Sequence, residues 1–203
     1  FGKNASGGLV HFITRDPSEE FEAEVQLFAT EDEEYRSSFT VSNSLSDSLA
    51  FRLTGFLNKD EGWIENVFNG DTVNGSNEWG LRGKLLWNPT DVLQLKWTSD
   101  ASERDSHCCT AVFRDLDPFP QNPPNNQARV GGLLELMKPV VPGHENNRAN
   151  LDGDLTNDTK ASGHSLEINW NIGEHTLTSI TAYRDWEQNA RGDNDFLPTE
   201  ILG

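Results

Sequence analysis

The chain has 203 residues, a formal net charge of −17 and a hydrophobic fraction of 34%. It contains no run of eighteen apolar residues, which excludes a transmembrane helix but not a membrane strand, because a strand shows lipid only alternate side chains. The strong negative charge argues against nucleic acid as a partner, since no basic stripe is present to bind phosphates.

The opening residues are rich in glycine, then apolar, and end in a turn signal. Gly7 and Gly8 precede an apolar stretch that reaches Thr14, and Asp16-Pro17-Ser18 is a typical turn sequence. The two glycines are expected to allow a positive φ or a close backbone approach. Because the chain has no starting Met and no leader-like segment, and stops at Gly203 after a polar stretch, we interpret it as an internal piece of a longer protein.

From Phe21 onward, the side chains alternate between apolar and polar. In the first segment Phe21, Val25 and Leu27 share one face, and Glu22 and Glu24 share the other. This period of two is typical of a strand with one apolar and one wet face. Six further segments of about ten residues repeat the pattern, near residues 35–45, 49–58, 78–87, 93–98, 165–172 and 176–186.

The last of these segments breaks the alternation. Leu177 and Tyr183 fall on one face, whereas Ile180, Ala182 and Trp186 fall on the other. A β-bulge would return all of them to one face, but the sequence does not place one.

Short and long connections alternate along the chain. Residues 45–48, 88–91 and 172–174 form tight turns, whereas Lys59–Asn77 and Glu103–Lys160 are long polar stretches. This asymmetry is typical of an outer-membrane β-barrel, which has short periplasmic turns and long external loops. The same periodicity also fits a β-sandwich, but the loop asymmetry and the strand length favour the barrel.

Strand length and aromatic placement agree with a membrane wall. Ten residues tilted by about 40° span roughly 25 Å, which is the height of the apolar band of such a barrel. Trp87, Trp170 and Tyr35 lie near strand ends, where aromatic girdles form. Seven strands do not complete a bacterial single-chain barrel, which has an even number.

The opening segment resembles the end of the plug domain of TonB-dependent outer-membrane receptors. The residues that carry this resemblance are Gly2, Lys3, Asn4, Gly7 and Gly8. Lys3 stands where the family usually has Arg, which keeps the charge, and His11 stands where it often has Asn.

Later segments are similar to the same family. Gly83–Asp91 and Leu177–Arg184 match its strand-and-turn sequences, and the resemblance is weakest from Glu103 to Lys160. It implies an all-β fold, an antiparallel transmembrane β-barrel of 22 strands occluded by a plug. Residues 1–20 would be the C-terminal end of the plug with its last strand. Residues 21–203 would be about seven strands from the N-terminal part of the barrel.

The resemblance also implies a function. Such receptors take up scarce nutrients across the outer membrane of a Gram-negative bacterium, driven by TonB. Iron–siderophore complexes are their commonest ligands, with cobalamin, haem and saccharides as alternatives. TonB would bind upstream of this chain, and the wall would contact outer-membrane lipid. The first strand would then rise from the periplasm, which places every long loop outside the cell.

The two cysteines, Cys108 and Cys109, are adjacent in the longest loop. Oxidation is expected outside the inner membrane, so we predict a local disulfide that stiffens the loop. The neighbouring His107 raises the alternative of a metal site, but adjacent ligands rarely fit one tetrahedral ion without further partners. We therefore predict no metal and no cofactor.

Aromatic side chains in the predicted loops are candidate ligand contacts, namely Trp63, Phe68, Phe113 and Phe119. Packing of the loops on one another is the alternative for all four. The acidic runs near residues 150–158 and 193–195 carry oxygen ligands that suit Ca²⁺, but they lack the terminal Glu of an EF-hand loop. A solvated loop is the preferred interpretation of both runs.

Basic side chains on the wet face have two candidate roles. Arg36, Arg52, Arg82 and Lys84 would either pair with plug carboxylates or guide an anionic ferric chelate. Pairing with the plug is the preferred interpretation.

No spacing of residues indicates an enzyme, because no Ser-His-Asp or Cys-His arrangement and no phosphate-binding glycine loop occurs. The leading interpretation is a segment of a transport receptor. The alternative from another class is a secreted β-sandwich module whose loops, with Cys108 and Cys109, form a glycan site.

Overall fold

The computed structural model describes residues 6–8, 12–115, 132–193 and 196–198. Within these ranges, ten strands form one sheet of seven strands and one of three. The large sheet contains β1 (Glu22–Ala29), β2 (Glu34–Ser46), β3 (Leu49–Asp60), β6 (Gly75–Thr90), β7 (Leu93–His107), β9 (Thr156–Ile172) and β10 (His175–Arg191).

Every neighbouring pair in the large sheet is antiparallel, in the order β1-β2-β3-β6-β7-β9-β10. Consecutive strands are therefore joined as hairpins. The short turns at residues 47–48, 91–92 and 173–174 share one end of the sheet, and residues 30–33, 61–74 and 108–155 connect strands at the other end. The predicted all-β antiparallel fold is confirmed.

The strands extend further than the sequence predicts. β6, β7, β9 and β10 contain 16, 15, 17 and 17 residues, whereas segments of about ten were expected. The additional residues lie at the ends next to the long loops, where both faces of a strand are polar. Backbone pairing continues there, but alternation of hydropathy does not, so a pattern of period two cannot locate the end.

The last strand contains no bulge. β10 pairs with β9 from His175 opposite Ile172 to Arg191 opposite Thr156 without a shift of register. Ile180 and Trp186 therefore share a face with Arg184. A continuous ladder of this length outweighs the exposure of two apolar side chains on the polar face.

The two faces of the large sheet differ in the way the alternation predicts. One face exposes large apolar side chains, including Val25, Leu27, Leu57, Trp79, Trp87 and Trp170. The other carries polar residues such as Ser42, which is fully buried. Ala50 is the only buried hydrophobic side chain that lies in this sheet among the residues the structure describes. A β-sandwich would bury its apolar face against a second sheet, so the rival interpretation does not fit.

Aromatic residues occupy both ends of the apolar face. Trp87 pairs with Leu95, and Trp170 pairs with Leu93, beside the short turns. Tyr35 pairs with Ala29 next to the opposite connection. These positions agree with the predicted girdles. No helix in the described ranges is both long and apolar enough to span a membrane.

The long connections contain structure that the sequence pattern does not predict. β4 (Ile64–Asn66) pairs antiparallel with β5 (Thr72–Val73) and parallel with β8 (Arg148–Ala149). Residues 132–136 are helical. We call residues 61–74 and 148–155, which join in this small sheet, the loop unit.

The predicted last strand of the plug is not formed over residues 12–14. A strand requires a neighbour to satisfy its backbone groups, and no described strand pairs with this segment. Residues 9–11 of the same prediction lie outside the described residues.

Candidate functional site

A short segment that precedes β1 lies against the polar face of the large sheet. Lys84 of β6 is only 8% exposed, and its Nζ donates to the carbonyl oxygens of Thr14 at 2.8 Å and Arg15 at 3.0 Å. The same ammonium contacts Asp16 Oδ1 at 3.2 Å. Lys96 of β7 contacts Asp16 Oδ2 at 3.1 Å. Two neighbouring strands thus hold residues 14–16.

Two further strands complete this contact. Arg52 of β3 donates to the carbonyl oxygen of Asp16 at 3.4 Å and pairs with Glu22 at 2.9 Å. The backbone N–H of Ser18 donates to Ser42 Oγ of β2 at 2.8 Å. We call residues 14–18 the anchor segment, because β2, β3, β6 and β7 all contact it.

The electrostatics of the anchor segment favour an ionised Asp16. Burial raises the pKa of Asp16, but the hydrogen bonds and positive charges of Lys96 and Lys84 outweigh burial, so the pKa lies below its ordinary value of 3.8. The carboxylate therefore remains charged at neutral pH and pairs with both ammonium groups.

The expectation for the four basic side chains holds only in part. Lys84 and Arg52 contact the anchor segment, as predicted for pairing with the plug. Arg36 instead bonds to Glu34 on its own strand and lies 5.4 Å from the centre of the Phe28 ring. Arg82 lies 3.6 Å from Asp100. Carboxylates on the same face of the wall thus neutralise these two, which sequence alternation alone does not reveal.

Hydrogen bonds from two asparagines, of which Asn66 is buried, help to hold the loop unit together. Asn66 is 2% exposed, donates to the carbonyl oxygen of Leu151 at 3.0 Å and accepts from its N–H at 3.2 Å. Asn74 and Thr110 exchange a similar pair of bonds at 2.9 and 3.0 Å. An apolar cluster supports these bonds, with Ile64, Val73, Ala149, Leu151 and Leu155 at its core. The two long connections therefore form one packed layer.

The cysteine pair lies where β7 enters the longest connection. Cys108 and Cys109 form a disulfide in the structure. Cys109 has a positive φ of 145°, and Asn157 Nδ2 lies 3.8 Å from Cys108 Sγ. Their stiffening role stays a prediction. No group of three or more His, Cys, Asp or Glu side chains placed to hold a metal ion occurs in the described part of the chain.

The candidate aromatic contacts separate into two environments. Trp63 and Phe68 are 53% and 55% exposed on the loop unit. Phe113 packs against the cluster of Met137, Val140 and Leu197, which favours loop packing as its role. Phe119 lies outside the described residues. Ligand contact by Trp63 and Phe68 therefore stays a prediction.

An acidic cavity of about 700 Å³ opens beside the loop unit. Its carboxylates are Asp60, Glu61, Asp71, Asp152 and Asp154, and His107 also lines it. The side chains of the acidic run at residues 150–158 have separate partners. Asp154 pairs with Arg191, and the Asn150 amide donates to the carbonyl oxygen of Lys138. The Asp193 carboxylate also has its own partners, because it accepts hydrogen bonds from the backbone N–H groups of Gly153 and Phe196.

The glycine motif is described only in part. Gly2, Lys3 and Asn4 lie outside the described residues. Gly8 has a φ of +124°, which agrees with the expected need for glycine, and a Cβ at Gly7 or Gly8 would meet nothing within 4 Å. Gly7 and Gly8 therefore have open space around them.

Sequence reasoning missed Asp16 and Lys96 as partners and missed Asn66 and Asn74 altogether. Asp16 was read only as part of a turn, and Lys96 only as a polar-face residue. Nothing in the local sequence distinguishes Asn66 from the other loop asparagines, because its partner Leu151 is 85 residues away.

Known proteins that are similar to this chain include two receptors. No family model matches the chain. The ferric enterobactin receptor PirA of Pseudomonas aeruginosa is 29% identical over 105 residues, covering 44% of this chain and 14% of that protein. The ferric yersiniabactin uptake receptor FyuA of Yersinia pestis has a similar structure, with a TM-score of 0.65 and 14% identity. The match covers 89% of this chain and 26% of that one, and at this identity it shows the fold.

These two matches confirm the resemblance that the opening motif carries. The chain is similar in fold to a barrel segment of TonB-dependent outer-membrane receptors. Both of these similar proteins are named as receptors. The chain spans only a small part of either relative, so the activity of the whole protein is a matter for proposal.

Proposed function

We propose that this chain is part of an outer-membrane receptor that takes up a ferric siderophore with energy supplied through TonB. One observation carries the proposal. The anchor segment lies on the polar face of the sheet and is bound there by Lys84 at three oxygen atoms. A plugged barrel requires such an arrangement, with its plug on the inner side of the wall.

The two faces of the sheet support the proposal. The apolar face would contact lipid of the outer membrane in a Gram-negative bacterium, and the polar face would line the lumen. Residues 1–20 would then end the plug, and residues 21–203 would begin the barrel. The loop unit and its acidic cavity would lie outside the cell, above the lumen.

The ligand class rests on the relatives. Both are named as receptors for a ferric compound, at 29% sequence identity in one case and by fold in the other. Cobalamin, haem and saccharides remain alternatives within the same class of receptor. TonB would contact residues upstream of this chain.

The test uses the complete receptor that carries this segment. A strain that lacks the gene is grown with single ferric siderophores, with haem, with cobalamin or with a saccharide as the only source of the nutrient. We expect loss of growth on one ferric siderophore, and recovery when the wild-type gene is restored. Uptake of radioactive iron with and without TonB checks the energy source. Unchanged growth on every ferric siderophore, together with lost growth on another nutrient, would contradict the ligand class.

A further inference from the structure

The anchor segment is bound to the wall over most of its length. From Thr14 to Ser18, side chains of the wall contact the backbone or side chain of every residue except Pro17. Pro17 itself is buried. Immediately before this segment, Phe12 and Ile13 are 85% and 84% exposed. Among the described residues, the hydrogen bonds between this part of the chain and the wall thus begin at Thr14.

The contacts of Lys84 hold the anchor segment firmly on the wall. Its ammonium is nearly excluded from solvent, and its acceptors are two backbone carbonyls and one carboxylate of the anchor segment. If the segment moved away, the ammonium would be left in the wall without these acceptors. Removing the partners of a buried charge is costly, because water does not replace them fully.

The contacts are also spread over the wall rather than concentrated at one strand. Lys84, Lys96, Arg52 and Ser42 come from four different strands that are consecutive in the sheet. The sheet resists relative movement of these strands, because antiparallel ladders join each of them to its neighbours. The four contacts therefore form a rigid base.

We propose that residues 14–18 are a fixed anchor for the plug, so that plug movement during transport leaves these residues bound to the wall. This inference rests on the proposed function, because it assumes that the plug moves. It identifies Lys84 as the residue that positions the anchor, with Asp16 as its main ionic partner.

A cross-link within the anchor provides the test. Ser18→Cys and Ser42→Cys are introduced together into the complete receptor, because the Ser18 N–H lies 2.8 Å from Ser42 Oγ. Ligand uptake is measured after oxidation and again after reduction, with each single variant as a control. We expect the oxidised double variant to transport at the rate of its reduced form. A rate that falls on oxidation and recovers on reduction would overturn the proposal.

A second measurement covers the case in which the double variant fails to fold. Hydrogen exchange of the wild-type receptor is followed with and without ferric siderophore and the periplasmic domain of TonB. We expect the Ser18 N–H, which donates to Ser42 Oγ, to keep its protection while peptides upstream of Thr14 change. Loss of protection at Ser18 on adding both partners would overturn the anchor. If the wild-type receptor takes up no ferric siderophore, the proposed function is wrong. Hydrogen exchange of the anchor segment is then measured with the ligand that the receptor does take up.

Discussion

Lys84 illustrates how a single side chain can join two distant parts of the chain. Lysine is seldom buried unless its charge is paired, and Lys84 is 8% exposed with three acceptors from residues 14–16. Its position in the alternating pattern predicts that it faces the lumen. Its partner is not predictable in this way, because Asp16 is 68 residues away and lies outside any regular strand.

Replacing Lys84 by Met tests the contribution of these bonds. Met keeps most of the length of the side chain but cannot donate, so the carbonyls of Thr14 and Arg15 lose this donor and the Asp16 carboxylate keeps only Lys96. We expect the free energy of unfolding to fall by about 1–3 kcal/mol, as for a buried hydrogen bond with its partners left unsatisfied. Thermal unfolding of the complete receptor in detergent measures the change.

Lys160→Met is the matched control for that variant. Lys160 pairs with Glu103 at 2.6 Å, but its side chain is 63% exposed. An exposed ion pair contributes little, so we expect a much smaller change than for Lys84→Met. Equal effects of the two substitutions would show that Lys84 has no special role.

Asp16 gives the anchor a dependence on pH. Its pKa is lowered in the folded protein, so the ion pairs contribute fully above the ordinary value of 3.8 and are lost as the pH falls through the folded value. We compare the wild-type receptor with Asp16→Asn over a range of pH. The wild type should be the more stable by a constant amount near neutral pH, and its advantage should shrink only below about pH 4. An advantage that shrinks between pH 7 and pH 5 would indicate a different titrating group.

At the scale of elements, alternation predicts strands well and loops poorly. The seven predicted segments correspond to the seven strands of the large sheet. Alternation predicts them because half of the side chains of each strand face an apolar environment and half face a polar one. The loop unit has no such period. Its core residues, such as Ile64 and Leu151, are single apolar residues in polar stretches, and only the folded chain brings them together.

Asn66 is the residue at which the loop unit can be tested. Asn66→Ala removes both bonds to Leu151 and leaves its backbone groups buried without partners. We expect residues 61–74 and 148–155 to lose hydrogen-exchange protection together, by about 1–3 kcal/mol in local opening free energy. Asn69→Ala is the control, because Asn69 bonds only to Asp71 in an exposed turn among the contacts described. Loosening of one segment without the other would show that they are not one unit.

At the scale of the whole molecule, the ratio of buried to exposed hydrophobic side chains indicates what each face of the large sheet contacts. The large sheet has almost no buried hydrophobic side chains of its own in the described ranges, although it exposes many large ones. In water such a surface would aggregate, whereas in a bilayer the same surface is satisfied by lipid. The chain's low hydrophobic fraction is consistent with this, since only alternate residues of each strand need to be apolar.

Two adjacent residues of β9 test which face contacts lipid. Leu166 pairs with Trp97 on the apolar face, and Ser165 pairs with Thr98 on the polar face. Near the middle of the bilayer, Arg on the lipid face costs about 2–4 kcal/mol, so Leu166→Arg should strongly destabilise the folded receptor. Ser165→Arg should be tolerated, because its side chain would enter a wet lumen near the carboxylate of Glu167. Reversible unfolding in lipid vesicles measures both variants, and heat-dependent gel migration reports how much of each remains folded. If Ser165→Arg is the more damaging of the two, the faces are assigned the wrong way round, and the plug side of the wall must be assigned again.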